Sequence, residues 1–260
     1  MNNDSRPIGL FDSGIGGTSI WHAVHKLLPN ENTIFLGDSA HAPYGQKSKE
    51  ELLELSTKNV EWLLDKQAKL IIVACNTATT NVVTELRERY DVPFIGIEPA
   101  IKPAALRSKT GKIGVLATQR TLESPKYIEA LLQFPQTVFI NQAGHGIVQL
   151  IETGQLYSDE MLQLLKQYIS PMLEQNIDYL VLGCTHYPYL YPILSKIVPS
   201  NIHIIDSGEA IALQTKRILE EKNLLKKDNN PGKHLFYTNK ETTVLQSFIE
   251  GFGIAEKVDF

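Results

Sequence analysis

The chain has 260 residues, enough to bury a sizeable core in one large domain or in two compact domains of roughly 100–150 residues. Apolar residues make up 43% and charged residues 21% of the sequence, which is typical of a folded globular protein and unlike disordered, fibrous or membrane proteins. The formal net charge is -4, and the Lys and Arg residues are scattered, so no basic stripe is available to bind a nucleic-acid backbone. Nucleic acid is therefore not an expected partner.

The N-terminal residues, 1–7, are polar and lack the basic and apolar regions of a secretory signal. No apolar run approaches the roughly 18 residues needed to span a bilayer. We therefore expect a cytoplasmic protein that does not associate with membranes. Thiols stay reduced in the cytoplasm, so Cys75 and Cys184 are expected to be catalytic or inert rather than joined in a disulfide.

Short apolar runs alternate with amphipathic helical stretches along the chain, which is the pattern of βα units around a parallel sheet. The runs are mostly apolar, as expected for strands that are buried on both faces. An α/β fold with mainly parallel sheets flanked by helices is predicted. The predicted strands are Ile8–Phe11, Thr33–Leu36, Leu70–Ala74, Phe94–Ile97, Lys112–Leu116, Thr137–Ile140, Tyr179–Leu182, Ile202–Ile205 and Leu235–Tyr237.

Two helices carry clear boundary signals. Ser48 and Glu51 have the spacing of a capping box ahead of an apolar stripe, which predicts a helix start. Apolar residues between Met161 and Tyr168 recur at helical spacing, and Pro171 is expected to kink or end that helix near Ser170.

A weak internal repeat relates the first four predicted strands to the next four. Ile8–Leu10 falls on Ile113–Val115, and at nearly the same offset Cys75 falls on Cys184. Chance similarity between two βα domains is the alternative. If the halves are related, each presents one thiol at an equivalent position.

This repeat predicts two similar domains with the active site in the cleft between them. The first domain comprises residues 1–97 plus 210–260 and carries Cys75. The second comprises residues 98–209 and carries Cys184. A thiol on each side of one cleft suits chemistry on the two faces of a single carbon atom.

Cys75 ends the third predicted strand and opens a turn into a helix. The run before it, Ile71–Ala74, is apolar, and ligands of open α/β sheets bind at this carboxyl end. Asn76 and Thr77 begin the helix, whose free N–H groups favour an anion and lower the pKa of a thiol. Cys75 can thus act as a base; the alternative is a small, inert core residue.

Cys184 has an equivalent setting after Leu180–Gly183. Thr185 supplies a capping hydroxyl, and His186 can polarise the thiol or shuttle its proton. A metal site is not predicted, because Cys184 and His186 are two ligands where zinc needs three or four. Two cysteines at matched strand ends favour catalysis over two inert core residues.

A glycine-rich segment, Phe11–Gly17, follows the first strand and precedes a helix. It lacks the third glycine of a dinucleotide-binding fingerprint, since Ser19 stands there. The segment is either a tight turn capped by Asp12 or a site where Ser13 and backbone amides hold a small carboxylate. In the second case Asp12 faces the cleft as a proton acceptor or as the partner of an ammonium group.

A turn-rich loop, Asp38–Gly45, lies beyond the second strand, where binding groups often occur. Tyr44 in this loop either shields or hydrogen-bonds a ligand, or packs on the surface. Thr118 lies at the repeat counterpart of Ser13 and is a candidate second holder of a carboxylate.

Together these segments closely resemble the aspartate/glutamate racemase family, over nearly the whole chain, and its glutamate branch in particular. The resemblance is weaker at Gln119–Pro125 and in the tail after Lys226. It is carried by FDSGIGG at Phe11–Gly17, GDSAHAPYG at Gly37–Gly45, ACNTAT at Ala74–Thr79, GIEPA at Gly96–Ala100 and LGCTHYP at Leu182–Pro188.

The resemblance implies that Cys75 and Cys184 are two acid/base thiols, assisted by Asp12 and His186, with Glu152 as a further cleft acid. It implies interconversion of L-glutamate and D-glutamate without pyridoxal phosphate, other cofactor or metal. It also implies supply of D-glutamate for peptidoglycan in a bacterial cytoplasm, and a homodimer. The implied substrate contacts are Asp12, Ser13, Tyr44, Gly45, Asn76, Thr77, Thr118, Thr185 and His186.

Three alternatives remain open from the sequence. A racemase of aspartate or of another amino acid would share the cysteines. A solute-binding protein would also have two α/β lobes, but it would leave the α-hydrogen of its ligand in place. A nucleotide-dependent dehydrogenase would need to bind a nicotinamide cofactor.

Overall fold

The computed structural model describes residues 4–260, which form two parallel β-sheets with helices packed on their faces. The predicted first domain begins at Met1, and residues 1–3 lie outside the described residues. The strands are Ile8–Asp12 (β1), Thr33–Gly37 (β2), Leu70–Val73 (β3), Phe94–Gly96 (β4), Lys112–Ala117 (β5), Val138–Ala143 (β6), Tyr179–Gly183 (β7), His203–Ile205 (β8), His234–Thr238 (β9) and Ala255–Lys257 (β10).

Helices connect successive strands. They are Thr18–Leu27 (α1), Lys49–Asp65 (α2), Asn76–Arg89 (α3), Ile101–Arg107 (α4), Gln119–Leu122 (α5), Pro125–Leu132 (α6), Ile147–Glu152 (α7), Asp159–Leu173 (α8), Tyr191–Ile197 (α9), Gly208–Glu221 (α10) and Thr243–Phe248 (α11). Short 3₁₀ turns are also present, at Ile15–Gly17, Ser39–His41, Tyr44–Gln46 and Tyr187–Leu190.

Four consecutive strands of the first sheet have the same order as the four strands of the second sheet. The first is β10-β9-β2-β1-β3-β4 and the second is β6-β5-β7-β8, with parallel pairing throughout. The segment β2-β1-β3-β4 thus has the same order as β6-β5-β7-β8, so the predicted repeat of two similar parallel-sheet domains is confirmed.

This topology determines where a ligand site can form. In each sheet the strand order reverses between two central strands, β1 and β3 in the first and β5 and β7 in the second. Ligands of open α/β sheets bind at such switch points, beyond the carboxyl ends of the strands. Cys75 follows β3 and Cys184 follows β7, so each thiol lies at the switch point of its own sheet.

Each predicted strand is present, with small shifts at its ends. The largest shift is in β6, which continues through the polar Asn141 and Gln142 because it is a partly exposed edge strand. Strand β10 was not predicted, because it is a short edge strand with two charged residues and no apolar run.

The capping box is confirmed: the Ser48 hydroxyl accepts the Glu51 N–H, and the Glu51 carboxylate accepts the Ser48 N–H. The prediction that the helix ends near Ser170 is wrong, because α8 continues through Pro171 to Leu173. Pro171 lies in the last turn on the exposed side, and the Gln167 carbonyl that loses its helical partner is also at the surface, where water can satisfy it.

Within residues 4–260, none of the helices combines the length and apolar character needed to cross a membrane.

Candidate active site

Loops from the carboxyl ends of both sheets enclose a small cavity. Both cysteines line it, one from each domain, and both are free thiols. Two lining residues, Pro43 and Val148, were not predicted, because their apolar side chains carry no signal of catalysis or binding in the sequence. The lining residues are Ser13, Pro43, Tyr44, Gly45, Cys75, Asn76, Thr77, Thr118, Val148, Cys184, Thr185 and His186.

Cys75 is the N-cap residue of α3, at the point where the helix exposes its free N–H groups. Its side chain is almost completely buried. Burial and the nearby Asp12 carboxylate raise the pKa of the Cys75 thiol well above its ordinary value, and they outweigh the lowering effects of the Ala78 N–H and the Ser13 hydroxyl. Cys75 is therefore held as the neutral thiol at neutral pH.

Asp12 ends β1 directly behind the cavity and is fully buried. Its carboxylate accepts the Gly17 N–H at 2.8 Å, and the Thr185 hydroxyl of the other domain lies 3.4 Å from Oδ1. Burial raises the pKa of Asp12 to about 6, although the His186 charge and the Gly17 N–H act to lower it. Both sequence interpretations of Asp12, as the cap of a tight turn and as a group that faces the cleft, are compatible with these contacts.

Cys184, His186 and Glu152 form a connected row in the second domain. His186 Nδ1 lies 3.7 Å from Cys184 Sγ, and Nε2 lies 2.6 Å from Glu152 Oε1. Burial acts to lower the pKa of His186, but its bonds to Cys184 and Glu152 outweigh burial and raise that pKa well above its ordinary value. The ring is therefore an imidazolium that donates to the sulfur on one side and to the carboxylate on the other.

The two thiols thus have opposite electrostatic surroundings. Cys184 faces the imidazolium of His186, whereas Cys75 has the Asp12 carboxylate nearby. An adjacent cation stabilises a thiolate, and an adjacent anion stabilises a thiol. The structure therefore presents one thiol with the surroundings of a base and one with those of an acid.

The glycines of the Phe11–Gly17 segment make room for this row of the opposite domain. A Cβ atom at Gly14 would lie less than 3.0 Å from the Glu152 carboxyl group, and a Cβ at Gly16 would lie equally close to the His186 ring. The Ile15 N–H donates to Glu152 Oε1 at 2.6 Å. This amide is therefore already used by the protein, and the segment serves to receive Glu152 and His186 rather than a phosphate.

Tyr44 is buried against the cavity, but its hydroxyl points away from the space a ligand would occupy. It donates to Asp38 Oδ2 at 2.5 Å and accepts from Asn59 Nδ2 at 3.1 Å. Asp38 also bonds His41 Nδ1 at 2.5 Å and Asn239 Nδ2 at 2.6 Å. Of the three sequence readings, shielding by the ring fits this geometry, because Tyr44 is buried and its hydroxyl is already bonded by the protein.

Replacement of Tyr44 by Phe is therefore expected to weaken folding more than catalysis. The change leaves the buried Asp38 oxygen without a donor, so the free energy of unfolding should fall by about 1–3 kcal/mol. Chemical denaturation checks this, with Tyr191→Phe, at an exposed tyrosine, as the matched control. A Tyr44→Phe variant of unchanged stability that loses most of its kcat would instead mean that the hydroxyl contacts the substrate.

Threonine hydroxyls join the two domains beside the cavity. The Thr77 hydroxyl, at the start of α3, lies 2.9 Å from that of Thr118, which follows β5. Thr118 also caps α5 by accepting the Thr121 N–H. Gly45 lies directly against Thr118, so three predicted contact residues meet here.

Asn76 and Thr185 complete the predicted contact set. Asn76 Nδ2 donates to the Ile97 carbonyl at 3.3 Å, which fixes the side chain at the first position of α3. The Thr185 carbonyl accepts the Ser19 hydroxyl at 2.8 Å, which is a further bond between the domains. All the predicted site residues therefore lie in or directly behind one cavity, while the role of each remains a prediction.

Within the part of the chain that the structure describes, no group of three or more His, Cys, Asp or Glu side chains is arranged to hold a metal ion.

Comparison with known proteins gives consistent results. The family model described as Asp/Glu/Hydantoin racemase matches residues 18–215. A glutamate racemase of Ectopseudomonas mendocina is 45% identical over 227 residues, which cover 86% of each chain. A glutamate racemase isoform of Bacillus anthracis has a similar structure, with a TM-score of 0.88 and 32% identity over 98% of both chains. The structure of Escherichia coli glutamate racemase, solved with L-glutamate and the activator UDP-MurNAc-ala, is also similar. Its TM-score is 0.86, with 32% sequence identity over 97% of this chain and 98% of that one.

Two parallel-sheet domains with one thiol each at a shared cavity, together with these similarities, define an amino-acid racemase, which is an isomerase. In particular, the chain belongs to the Asp/Glu/Hydantoin racemase family.

Proposed function

We propose that this enzyme interconverts L-glutamate and D-glutamate by moving the α-hydrogen between Cys75 and Cys184, without a cofactor. The observation that carries the proposal is that the two free thiols line one small cavity from opposite domains. A base on one face of a carbon and an acid on the other are what inversion of that carbon requires. His186 lies beside Cys184 and the Asp12 carboxylate lies near Cys75, so the two thiols have different electrostatic surroundings.

In the resting enzyme Cys75 is the proton donor, since its pKa is raised well above the ordinary value. Cys184, which faces the His186 imidazolium, removes the α-proton from the opposite face. After one turnover Cys184 carries the proton and Cys75 has lost one, so the pair is set for the reverse direction. Exchange of protons with solvent resets the resting state.

The α-hydrogen of an amino acid is a very weak acid, so its removal needs stabilisation of carbanion-like charge in a closed site. The N-terminus of α3, at Asn76 and Thr77, presents free N–H groups that suit the substrate α-carboxylate. Thr118 and Thr185 offer hydroxyls from the other domain, and Asp12 suits the ammonium group. Each group acts from a rigid strand or helix end, so little reorganisation accompanies the reaction.

Glutamate is the proposed substrate because the relatives of high identity and coverage are named glutamate racemases, and the Escherichia coli enzyme was solved with L-glutamate. Aspartate is the competing substrate within the family. We expect Gly45 and Thr118 to hold the distal carboxylate of glutamate and to discriminate against aspartate, since a misplaced polar group costs more than a missing methylene.

The remaining assignments follow from the family resemblance. The proposed role is supply of D-glutamate for peptidoglycan synthesis in the cytoplasm, by a homodimer. The proposed domain boundaries are residues 1–97 plus 210–260 and residues 98–209. Support for them comes from β9 and β10, which lie in the sheet of β1–β4 although they end the chain, and from α10, which packs on α1.

A substrate panel tests the proposal. Purified protein, treated with a carbonyl reagent to remove any pyridoxal phosphate, is incubated with each enantiomer of glutamate and of aspartate, and the products are resolved by chiral chromatography. Interconversion of the glutamate enantiomers with much higher kcat/KM than for aspartate is expected. Inversion of aspartate alone, or activity that returns only with pyridoxal phosphate, would overturn the assignment.

A further inference from the structure

A second, wider hollow of about 360 Å³ adjoins the catalytic cavity on its outer side. Pro43, Gly45, Thr118 and Val148 line both spaces, so these residues form a wall that the hollow shares with the cavity between the two domains. Its outer part is lined by residues that the catalytic proposal does not use, among them Arg120 and Glu123.

Arg120 is held at this position by the opposite domain. It lies on α5, two residues after Thr118, and its Nε donates to the Lys47 carbonyl at 3.0 Å. Among residues 4–260, no ion pair or further hydrogen bond involves its guanidinium. Glu123, the acidic residue of the hollow, is bonded by Gln119 instead. The terminal amino groups of Arg120 thus remain available for an anion, in the fork geometry that suits a carboxylate.

The distribution of charge in the protein indicates what Arg120 can bind. The chain has a net charge of -4, and two buried carboxylates, Asp12 and Glu152, lie behind the catalytic cavity. A dicarboxylic amino acid carries a net negative charge at neutral pH, so the protein as a whole repels it. The residues that line the catalytic cavity include neither Lys nor Arg. A fixed cation at the mouth of a cleft attracts such a substrate and raises its rate of association.

We propose that the outer hollow is a docking site for the dicarboxylate substrate, with Arg120 as its charged anchor. The substrate binds there first and then moves past the shared wall of Gly45, Thr118 and Val148 to the two thiols. Arg120 attracts and orients the substrate and does not contact the reacting atoms. This inference rests on the proposed function, because it needs a substrate with two carboxylates.

The test compares Arg120→Gln with Arg107→Gln, which makes the same change in net charge at an exposed position at the end of α4. At low ionic strength, kcat/KM for glutamate is expected to fall roughly tenfold in Arg120→Gln and to stay near the wild-type value in Arg107→Gln. kcat is expected to change little. The difference should shrink as salt is added, because salt screens an exposed charge. Arg120→Lys, which keeps the charge, should retain most of kcat/KM.

Equal kcat/KM and equal salt dependence in the two glutamine variants would overturn the proposal. A fall in kcat that salt does not affect would also overturn it, since Arg120 would then act as a clamp between the domains through Lys47. Calorimetric binding of glutarate, an unreactive dicarboxylate, gives a readout that needs no turnover. If the wild type does not racemise glutamate, the proposed function fails; unchanged glutarate affinity in Arg120→Gln still overturns the docking site separately.

Discussion

Replacement of either Cys75 or Cys184 by alanine is expected to abolish racemisation of glutamate. Each thiol acts on a different face of the α-carbon, so neither can substitute for the other. A positioned acid or base contributes typically about 10²–10⁴-fold, and removal of one leaves no proton donor or no base. Chiral detection of the product from each enantiomer, at enzyme concentrations high enough to reveal slow turnover, checks this.

The controls for the cysteine variants address folding. Both thiols are buried, and Cys→Ala removes only one heavy atom, so the melting temperature should change modestly. Cys75→Ser and Cys184→Ser keep the volume and a proton but replace the thiol with a much weaker acid, and they should be nearly as inactive. Near-normal activity in a folded single variant would contradict the two-thiol mechanism.

Gly16→Ala is expected to lower kcat by at least about 10²-fold, because it displaces the acid–base partner of Cys184. The added Cβ would lie less than 3.0 Å from three atoms of the His186 ring, and that ring is held between Cys184 and Glu152. Loss of the imidazolium removes the cation that favours a thiolate. The pH dependence of kcat should therefore change together with its magnitude.

Ile15→Val is the matched control for Gly16→Ala. It lies in the same segment and is equally buried, but it removes a methylene and adds nothing toward His186. Its expected cost is about 0.5–1.5 kcal/mol of stability with nearly normal kcat. If Gly16→Ala and Ile15→Val have the same pH profile and similar kcat, the glycine does not serve to make room for His186.

Much of the site is predictable from the sequence because it depends on chain order. Parallel strands present their carboxyl ends at one edge, so a cysteine at the end of β3 and another at the end of β7 indicate two equivalent positions. The glycines of Phe11–Gly17 are also visible in the sequence, but the sequence does not show why glycine is needed there. They accommodate Glu152 and His186, which come from distant parts of the chain.

The contacts of Tyr44 show that sequence patterns do not predict which side chains pair across different elements. Its hydroxyl is taken up by Asp38 and Asn59, and Asn59 belongs to a different element, α2. Side-chain pairing across elements depends on packing in three dimensions, which periodicity does not encode. The same holds for Pro171, because the free-energy cost of a proline in a helix depends on whether the carbonyl that loses its hydrogen bond is exposed.

The most direct test of the two-thiol mechanism is to run the reaction in deuterated water and analyse both enantiomers at low conversion. Because the thiol that donates is different from the thiolate that abstracts, the account predicts that newly formed enantiomer carries deuterium at the α-carbon while recovered substrate still carries protium. This should hold whether the reaction starts from L-glutamate or from D-glutamate. Deuterium in the recovered substrate at the same early times, or product that retains the original hydrogen, would mean that one base serves both faces and would contradict the account.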